Sequence, residues 1–264
     1  MNLLAVLIAT VLAVVPVSGG QVSVAYAGSL VRTMEGPVAQ TLRARTGLQF
    51  SGEAKGSRAL AHLISAGLRT PDVFLSADPK LMTGVCDDYT IFGSASMVIA
   101  YSAGSPHRAL FEEVARGRRT LLSALSQPGV RIGRTDPQLD PKGARTVRSL
   151  TLLGRHFHDP GAAARVLAGS SVFPEEDLAV RVESGDLDAG FFYSTETPGR
   201  GLVTLALPPD SNLSTQIAYA VGVVRGAKHP AAAREFITFL LHGDGRHILE
   251  SAGVRYFTHV KTVR

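Results

Sequence analysis

Val24-Ala25-Tyr26-Ala27-Gly28-Ser29-Leu30 has the pattern of a strand end followed by a turn of small residues, and the fold predicted for the chain depends on it. We predict a short buried strand over 22–26, a tight turn over 27–29 and a helix over 30–46. A helix that begins directly after a strand leaves its first backbone N–H groups without partners inside the helix. These donors and the positive end of the helix dipole form an anion-binding site.

Ser29 stands where the N-cap residue of this helix is expected. Serine is a common N-cap, because its hydroxyl accepts a hydrogen bond from an unpaired backbone N–H group. The same hydroxyl can instead face a bound ligand. The local sequence favours the cap and leaves both roles open.

The same pattern recurs in the next unit of the chain. A predicted strand over 48–53 is followed by Ala54-Lys55-Gly56-Ser57 and by a predicted helix over 58–66. Two strand–turn–helix units in tandem place two helix N-termini at one edge of a parallel sheet, where open α/β sheets bind ligands. Further predicted strands at 72–76 and 97–101 extend the alternation, so we predict an α/β fold with a parallel sheet.

Composition narrows the class of protein. The chain has 264 residues, of which 45% are hydrophobic, and it is long enough for two lobes or one large domain. The net charge of +5 suits a nucleic-acid-binding protein, but the 27 Lys and Arg residues are scattered. The densest cluster, at 116–119, lacks a nucleic-acid-binding motif, so we do not expect nucleic acid as a partner. The single cysteine, Cys86, excludes an intrachain disulfide.

The N-terminal stretch has the pattern of an export signal. Leu3 to Val17 is apolar apart from Thr10, which suits the core of a signal peptide and is short for a membrane span. Small residues at 18–20 provide a cleavage site, although no Lys or Arg precedes the apolar run. We expect 1–20 to be a signal peptide, with an uncleaved anchor as the alternative.

Five signatures together resemble the molybdate/tungstate-binding proteins of ABC transporters, a family of extracytoplasmic solute-binding proteins. The resemblance covers residues 22–257. The signatures are Ala27-Gly28-Ser29-Leu30, Gly56-Ser57, the segment Pro71 to Asp78, the two Asp-Pro turns between Arg134 and Arg145, and the segment Gly185 to Tyr193.

The resemblance implies a fold, a compartment and a partner. The fold is a two-lobed, type II periplasmic-binding-protein (Venus-flytrap) fold with two hinge crossovers. Lobe one is expected at 21–101 and 214–264, and lobe two at 102–213. The protein is expected to be a monomer in the periplasm or otherwise outside the cytoplasm. It is expected to deliver its ligand to the transmembrane subunits of an ABC permease and to need no cofactor.

Asp140 precedes a predicted helix, so the residues alone favour a helix cap. A carboxylate beside a dianionic ligand would also repel it. The resemblance offers another role, because the archaeal-type branch of the family carries a carboxylate at this position that contacts the metal atom of the oxyanion. Carboxylate oxygen suits a hard metal centre. The resemblance therefore favours the carboxylate-bearing branch and makes Asp140 a candidate contact to Mo or W.

The resemblance also implies roles for two residues further along the chain. Tyr193 is expected to donate its phenolic hydrogen to a ligand oxygen, whereas the residues alone suggest a tyrosine at a strand end. Asp210 stands where the family has a second carboxylate, and the residues alone suggest a loop aspartate. With Ser29, Ser57 and Asp140, these residues form the expected ligand site.

Binding of molybdate or tungstate without catalysis is therefore the predicted function. A sulfate- or phosphate-binding protein of the same fold and a periplasmic oxyanion sensor are the alternatives. An enzyme is a third class, but the chain has no Ser-x-x-Lys or Gly-x-Ser-x-Gly motif and no defensible Ser–His spacing.

Overall fold

The computed structural model describes residues 20–263, which form two β-sheets covered by helices. The predicted signal peptide lies outside the described residues, except for Gly20. The strands are β1 (Gln21–Ala27), β2 (Gln49–Lys55), β3 (Val73–Ser76), β4 (Tyr89–Ser94), β5 (Met97–Ser102), β6 (Ile132–Thr135), β7 (Ser171–Phe173), β8 (Ala189–Tyr193), β9 (Leu202–Ala206), β10 (Ala218–Val223) and β11 (Arg255–Val263). The helices are α1 (Val31–Thr33), α2 (Ala39–Thr46), α3 (Ser57–Ser65), α4 (Arg108–Ala115), α5 (Leu121–Leu125), α6 (Pro141–His156), α7 (Pro160–Gly169), α8 (Glu175–Glu183), α9 (Pro230–Leu241) and α10 (Gly243–Ser251).

The first sheet has the strand order β11-β4-β10-β3-β1-β2 and the second has the order β7-β6-β8-β5-β9. In the first sheet, β1 runs parallel to β2 and β3, as predicted. In the second sheet, β6 runs parallel to β7 and β8, whereas β5 is antiparallel to β8 and β9. The predicted α/β class is confirmed, with sheets that are mixed because β5 and β10 run against their neighbours.

The chain passes between the sheets twice. It leaves the first sheet after Ser94, enters the second at Met97, and returns between Ala206 and Ala218. Strand β5 pairs only within the second sheet, although the predicted lobe boundary places 97–101 in lobe one. The boundaries at 101 and 213 stay predictions.

The helix predicted over 30–46 is less regular than expected. A 3₁₀ turn (Gly28–Leu30) leads into α1, a π-helical turn (Met34–Val38) and then α2. Pro37 lies inside the π-helical turn, and Gly36 has non-helical angles of φ −96° and ψ −105°. Proline lacks the N–H group that a regular α-helix uses, so the helix bends at this point.

Because of the register of the parallel strands, neighbouring strands end side by side at their C-terminal residues. Ala27 and Lys55, the last residues of β1 and β2, are direct partners. In the second sheet, Thr135 and Phe173, the last residues of β6 and β7, are also partners. The turns that follow each pair of strands therefore begin side by side. Across residues 20–263, every helix is too short or too polar to cross a membrane.

Candidate functional site

The first sheet brings Ser29 and Ser57 to one edge, as predicted. The cap role of Ser29 is wrong, because the 3₁₀ turn begins after Ala27 and has no side-chain cap. Instead, the buried Ser29 hydroxyl lies 3.2 Å from the Tyr219 hydroxyl of β10. The buried Ser57 Oγ accepts a hydrogen bond from the Ala77 N–H at 3.1 Å. Because this bond uses the oxygen of Ser57, its hydroxyl hydrogen remains available to a ligand.

Asp140 caps its helix with one carboxylate oxygen, and its other oxygen has no partner among the described residues. Oδ1 accepts the Lys142 N–H at 2.9 Å and caps α6. Oδ2 is buried and has no hydrogen-bond partner among the described residues, and the same holds for the nearby Thr135 Oγ1. Burial raises the pKa of Asp140, and the opposing effect of Lys142 does not cancel the rise. The cap fixes the carboxyl group in place while leaving one oxygen for a ligand.

Gly143 explains why the turn before α6 is so tight. A Cβ atom at this position would lie 2.5 Å from the backbone carbonyl of Asp136. The first turn of α6 therefore packs directly against the preceding loop, and only glycine permits that approach. This packing holds Asp140 at the end of β6.

Tyr193 ends β8 and is completely buried. Its phenolic oxygen accepts a hydrogen bond from Arg145 Nη1 at 3.2 Å. Arg145 also donates to the Gln216 carbonyl at 3.0 Å and lies 3.6 Å from Asp78 Oδ2, so it connects α6 with elements of the first sheet. Since the oxygen is already an acceptor, Tyr193 has its own hydrogen to donate to a ligand.

Asp210 lies away from these residues, which corrects the expected position of the second carboxylate. Its carboxylate pairs with His156 at 2.9 Å, and its side chain is 58% exposed. His156 ends α6, whereas Asp140 precedes it. A helix of 16 residues is about 24 Å long. Asp210 therefore lies near the C-terminal end of α6, whereas Asp140 lies at the N-terminal end.

Glu175 supplies a second carboxylate at the site instead, and the sequence analysis missed it. Glu175 begins α8, directly after β7 and Pro174, and is 4% exposed. Both carboxylate oxygens are buried without hydrogen-bond partners in the part of the chain that the structure describes. A Cβ atom on Gly28 would lie 3.0 Å from Glu175 Oε2, so the carboxylate faces the turn after β1.

Two buried residues beneath the site, Lys142 and Glu196, were also missed. Lys142 Nζ lies 2.6 Å from Glu196 Oε1 and 3.6 Å from Glu175 Oε1. Glu196 Oε2 accepts the Tyr193 N–H at 2.6 Å. A sequence signal existed for the lysine: position 142 falls on the buried helical face that continues through Thr146 and Leu150, where an apolar residue is expected.

Charge is concentrated at this point. Three buried carboxyl groups, of Asp140, Glu175 and Glu196, lie near two cations, the fully buried Lys142 and the partly buried Arg145. Burial and the Asp140 charge raise the pKa of Glu175 well above its usual range, whereas Lys142 opposes that rise. Burial also raises the pKa of Glu196, and again Lys142 opposes the rise.

Glu175 lies between two cavities. The larger, of about 320 Å³, is also lined by Gly56, Thr135, Leu139 and Asp140. The smaller, of about 30 Å³, is lined by Gly28, Ser29 and Glu196 among others. The elements around them touch, because Ala59 N–H donates to the Leu139 carbonyl at 3.0 Å. Hydroxyl groups and carboxylates thus line these two adjoining cavities, which suits a compact polar ligand.

Residues 22–255 match the sequence pattern of a family described as bacterial extracellular solute-binding protein. A putative ABC transporter molybdenum-binding protein of Haloferax volcanii is 32% identical over 195 residues, which cover 73% of this chain and 61% of that protein. A molybdate/tungstate-binding protein of Thermococcus kodakarensis is 23% identical over 253 residues, covering 76% of this chain and 71% of the relative. A molybdate-binding protein of Mycobacterium tuberculosis is 25% identical, covering 90% and 86%.

Two solved structures support the fold. The periplasmic molybdate-binding protein of Azotobacter vinelandii has a TM-score of 0.71 at 18% identity, covering 90% of this chain and 99% of that one. The sulfate-binding protein of Mycobacterium tuberculosis has a TM-score of 0.67 at 16% identity, covering 90% and 88%. At these identities the likeness concerns the fold alone, and it confirms the predicted two-lobed class.

Proposed function

Because the chain belongs to the bacterial extracellular solute-binding proteins, we propose that it captures molybdate or tungstate between its two lobes and delivers it to the permease of an ABC importer. The observation that carries the proposal is the presence of two buried carboxyl groups, of Asp140 and Glu175, whose oxygens lack partners among the described residues, together with buried hydroxyl groups that each have a hydrogen left to donate. The names of relatives with 23–32% identity support the same ligand.

The hydroxyl groups suit the oxygen atoms of an oxyanion. Ser57 and Tyr193 each use their oxygen to accept a hydrogen bond from the protein, so each has a hydrogen for the ligand. Ser29 and the backbone after β1 complete this set of donors. Neutral donors at a helix N-terminus stabilise an anion without a lysine or arginine in contact with it.

The carboxyl groups suit the central atom. Two carboxylates next to a dianion repel it unless they gain an interaction that offsets the repulsion. A molybdenum or tungsten centre can add oxygen ligands, and carboxylate oxygen suits such a hard centre. We therefore assign Asp140 and Glu175 as contacts to the metal atom of the bound oxyanion, with Glu175 replacing Asp210 in the predicted site.

Sulfate gains nothing from two carboxylates, because its sulfur does not add ligands and its oxygens carry no proton at neutral pH. Hydrogen phosphate has one proton that a carboxylate can accept. The site therefore favours metal oxyanions, and phosphate is the second ligand to test.

Ligand binding is expected to stabilise the closed arrangement of the lobes. The N-terminus of α3 already touches the loop before α6, since Arg58 Nη1 donates to the Pro137 carbonyl at 3.0 Å. A ligand that contacts both edges adds interactions that only the closed form makes. We further propose that the protein acts outside the cytoplasm as a monomer, through binding alone, and that its closed form is recognised by the permease.

Calorimetric titration of the purified protein with tungstate, molybdate, sulfate and phosphate tests this function. We expect tight binding of the two metal oxyanions and no heat with sulfate. Binding of sulfate or phosphate instead would be compatible with the fold but would show that the proposed ligand is wrong. No binding of any of the four would overturn the carrier function.

A further inference from the structure

Lys142 carries a buried positive charge for which the proposed oxyanion site has no direct use. Its side chain has no exposed surface, and its ammonium group lies 2.6 Å from Glu196 and 3.6 Å from Glu175. Lys142 also lies in the first turn of α6, where the helix dipole disfavours a cation. Burying an ion pair is costly, and similar-sized apolar groups often stabilise a fold as well or better. Stability alone therefore does not explain a buried lysine at this position.

The two carboxylates around Lys142 are held differently. Glu196 is fixed on both sides, because Oε1 contacts the ammonium group and Oε2 accepts the Tyr193 N–H at 2.6 Å. Glu175 has no hydrogen-bond partner within residues 20–263, and Lys142 is the cation with which it forms its ion pair. The lysine thus connects a fixed carboxylate to one that still has both oxygens available.

We propose that Lys142 is a positioning residue for the oxyanion site, which holds the Glu175 carboxylate toward the ligand and offsets the negative charge gathered there. This inference rests on the proposed function, because it concerns the same site. The three site carboxyl groups outnumber the two cations, and a dianionic ligand increases the excess of negative charge. A positive charge a few ångströms away reduces that repulsion even at an effective dielectric constant of about 20.

The orientation of the Glu175 side chain depends on its ion pair with Lys142. The carboxylate lies between the larger cavity, beside Asp140, and the smaller one, beside Ser29. Without Lys142 it has no cation in ion-pair contact among the described residues, and it can turn toward either cavity. A metal oxyanion that needs two carboxylates in fixed positions depends on that orientation more than an oxyanion bound by hydroxyl groups alone.

Two variants separate positioning from stability. Lys142→Met keeps the length of the side chain and removes its charge, which leaves Glu196 buried without its partner. The double variant Lys142→Met/Glu196→Gln removes both charges of the pair, so its stability is expected to recover. Lys228→Met, at an exposed position, is the control for the loss of one positive charge.

Tungstate affinity by calorimetry and the thermal midpoint of the ligand-free protein are the two measurements. We expect more than a tenfold loss of affinity in both Lys142 variants and recovery of the midpoint in the double variant, with less than a twofold change in affinity for Lys228→Met. Recovery of both affinity and midpoint in the double variant would show that Lys142 serves only to neutralise Glu196, and would overturn the inference.

The failure of this inference is distinguishable from the failure of the proposed function. A wild-type protein that binds neither tungstate nor molybdate overturns both. A wild-type protein that binds tungstate, with a double variant that binds it equally well, overturns the role of Lys142 alone.

Discussion

The two edges of the site share the same arrangement of strands but carry different functional groups. In each sheet, two neighbouring parallel strands end at paired residues, Ala27 with Lys55 and Thr135 with Phe173. The first edge then presents the neutral hydroxyls of Ser29 and Ser57, whereas the second presents carboxyl groups at 140 and 175. In the proposed site, the hydroxyls are assigned to the oxygens that all oxyanions share, and the carboxylates are assigned to the central atom. The difference predicts that general oxyanion affinity comes from the first edge and selectivity from the second.

The largest effect is expected on the charged edge, from Asp140→Asn. Asparagine also caps helices well, so the variant keeps the cap of α6 and removes the carboxylate. We expect a loss of about 2 to 5 kcal/mol in tungstate binding, as for removal of one partner from a buried charged contact. Sulfate binding, if measurable, should change much less. Calorimetry with both oxyanions checks this difference.

Asp159 provides a matched control for Asp140. It also precedes a proline and caps a helix, since its Oδ1 accepts the Ala162 N–H at 2.8 Å at the start of α7. Asp159→Asn makes the same substitution at a helix cap, and it should change the free energy of unfolding little and leave tungstate affinity unchanged. Unchanged tungstate affinity in Asp140→Asn would mean that Asp140 only caps its helix, because asparagine keeps that cap.

The neutral edge is expected to give a smaller effect that does not depend on the ligand. Ser29→Ala and Ser57→Ala should each cost about 1 to 3 kcal/mol of binding, the range for a lost hydrogen bond to a charged group. The loss should be similar for tungstate and molybdate. Competition titrations measure both affinities in one series. A serine variant that changed the ratio of the two affinities would show that the first edge also contributes to selectivity.

Tyr193→Phe tests the neutral donor that the second sheet contributes. We expect a loss of about 1 to 2 kcal/mol of binding. Tyr256→Phe is the control, because it removes a hydroxyl that donates to the Leu240 carbonyl at 2.6 Å. If the Tyr193 variant binds as tightly as wild type, its hydroxyl serves Arg145 rather than the ligand.

The neutral edge was far easier to predict from the sequence than the charged one. Gly-Ser turns after apolar strands are local signals, so 28–29 and 56–57 were found without tertiary information. The Asp-Pro turn before α6 marked Asp140 as a helix cap in the same way, whereas its candidate role at the ligand came from the family resemblance. Strand β7 has three residues, two of them exposed, so the turn that carries Glu175 lacked the apolar strand that would have marked it.

Other missed features depended on contacts between distant segments. Glu175, Glu176 and Asp177 all suit the first turn of α8, and only packing selects Glu175 as the buried one. Strand β11 was missed because most of its residues are exposed, so it has no buried alternation. Asp210 was misplaced because its loop matched a family motif, while its position at the far end of α6 depends on the tertiary fold.

The excess of carboxyl groups on the charged edge predicts a pH-dependent stability in the ligand-free protein. The folded-state pKa of Glu175 is raised, chiefly by burial, so above about pH 4 the folded state binds more protons than the unfolded state. The free energy of unfolding therefore falls as pH rises toward the folded-state pKa. Glu175→Gln should reduce that slope by up to about 1.4 kcal/mol per pH unit, the value for one proton.

Urea denaturation of the ligand-free protein from pH 4 to pH 8 measures this slope. The variant should gain stability relative to wild type at the upper end of the range and gain least at the lower end. Unchanged slopes would mean that Glu175 ionises in the folded protein as it does in water, and the excess of negative charge would then be compensated elsewhere.

The smallest effect is expected from Asp210→Ala. Asp210 and His156 form an exposed pair at the C-terminal end of α6, and such pairs contribute about 0 to 1 kcal/mol. Tungstate affinity should be unchanged, because this pair lies at the last residue of α6 and Asp140 precedes its first, and the helix is about 24 Å long. Calorimetry of Asp210→Ala beside Asp140→Asn makes the test. A tungstate-specific loss at Asp210 would require the charged edge to extend the length of α6, and the contrast between a neutral and a charged edge would no longer describe the site.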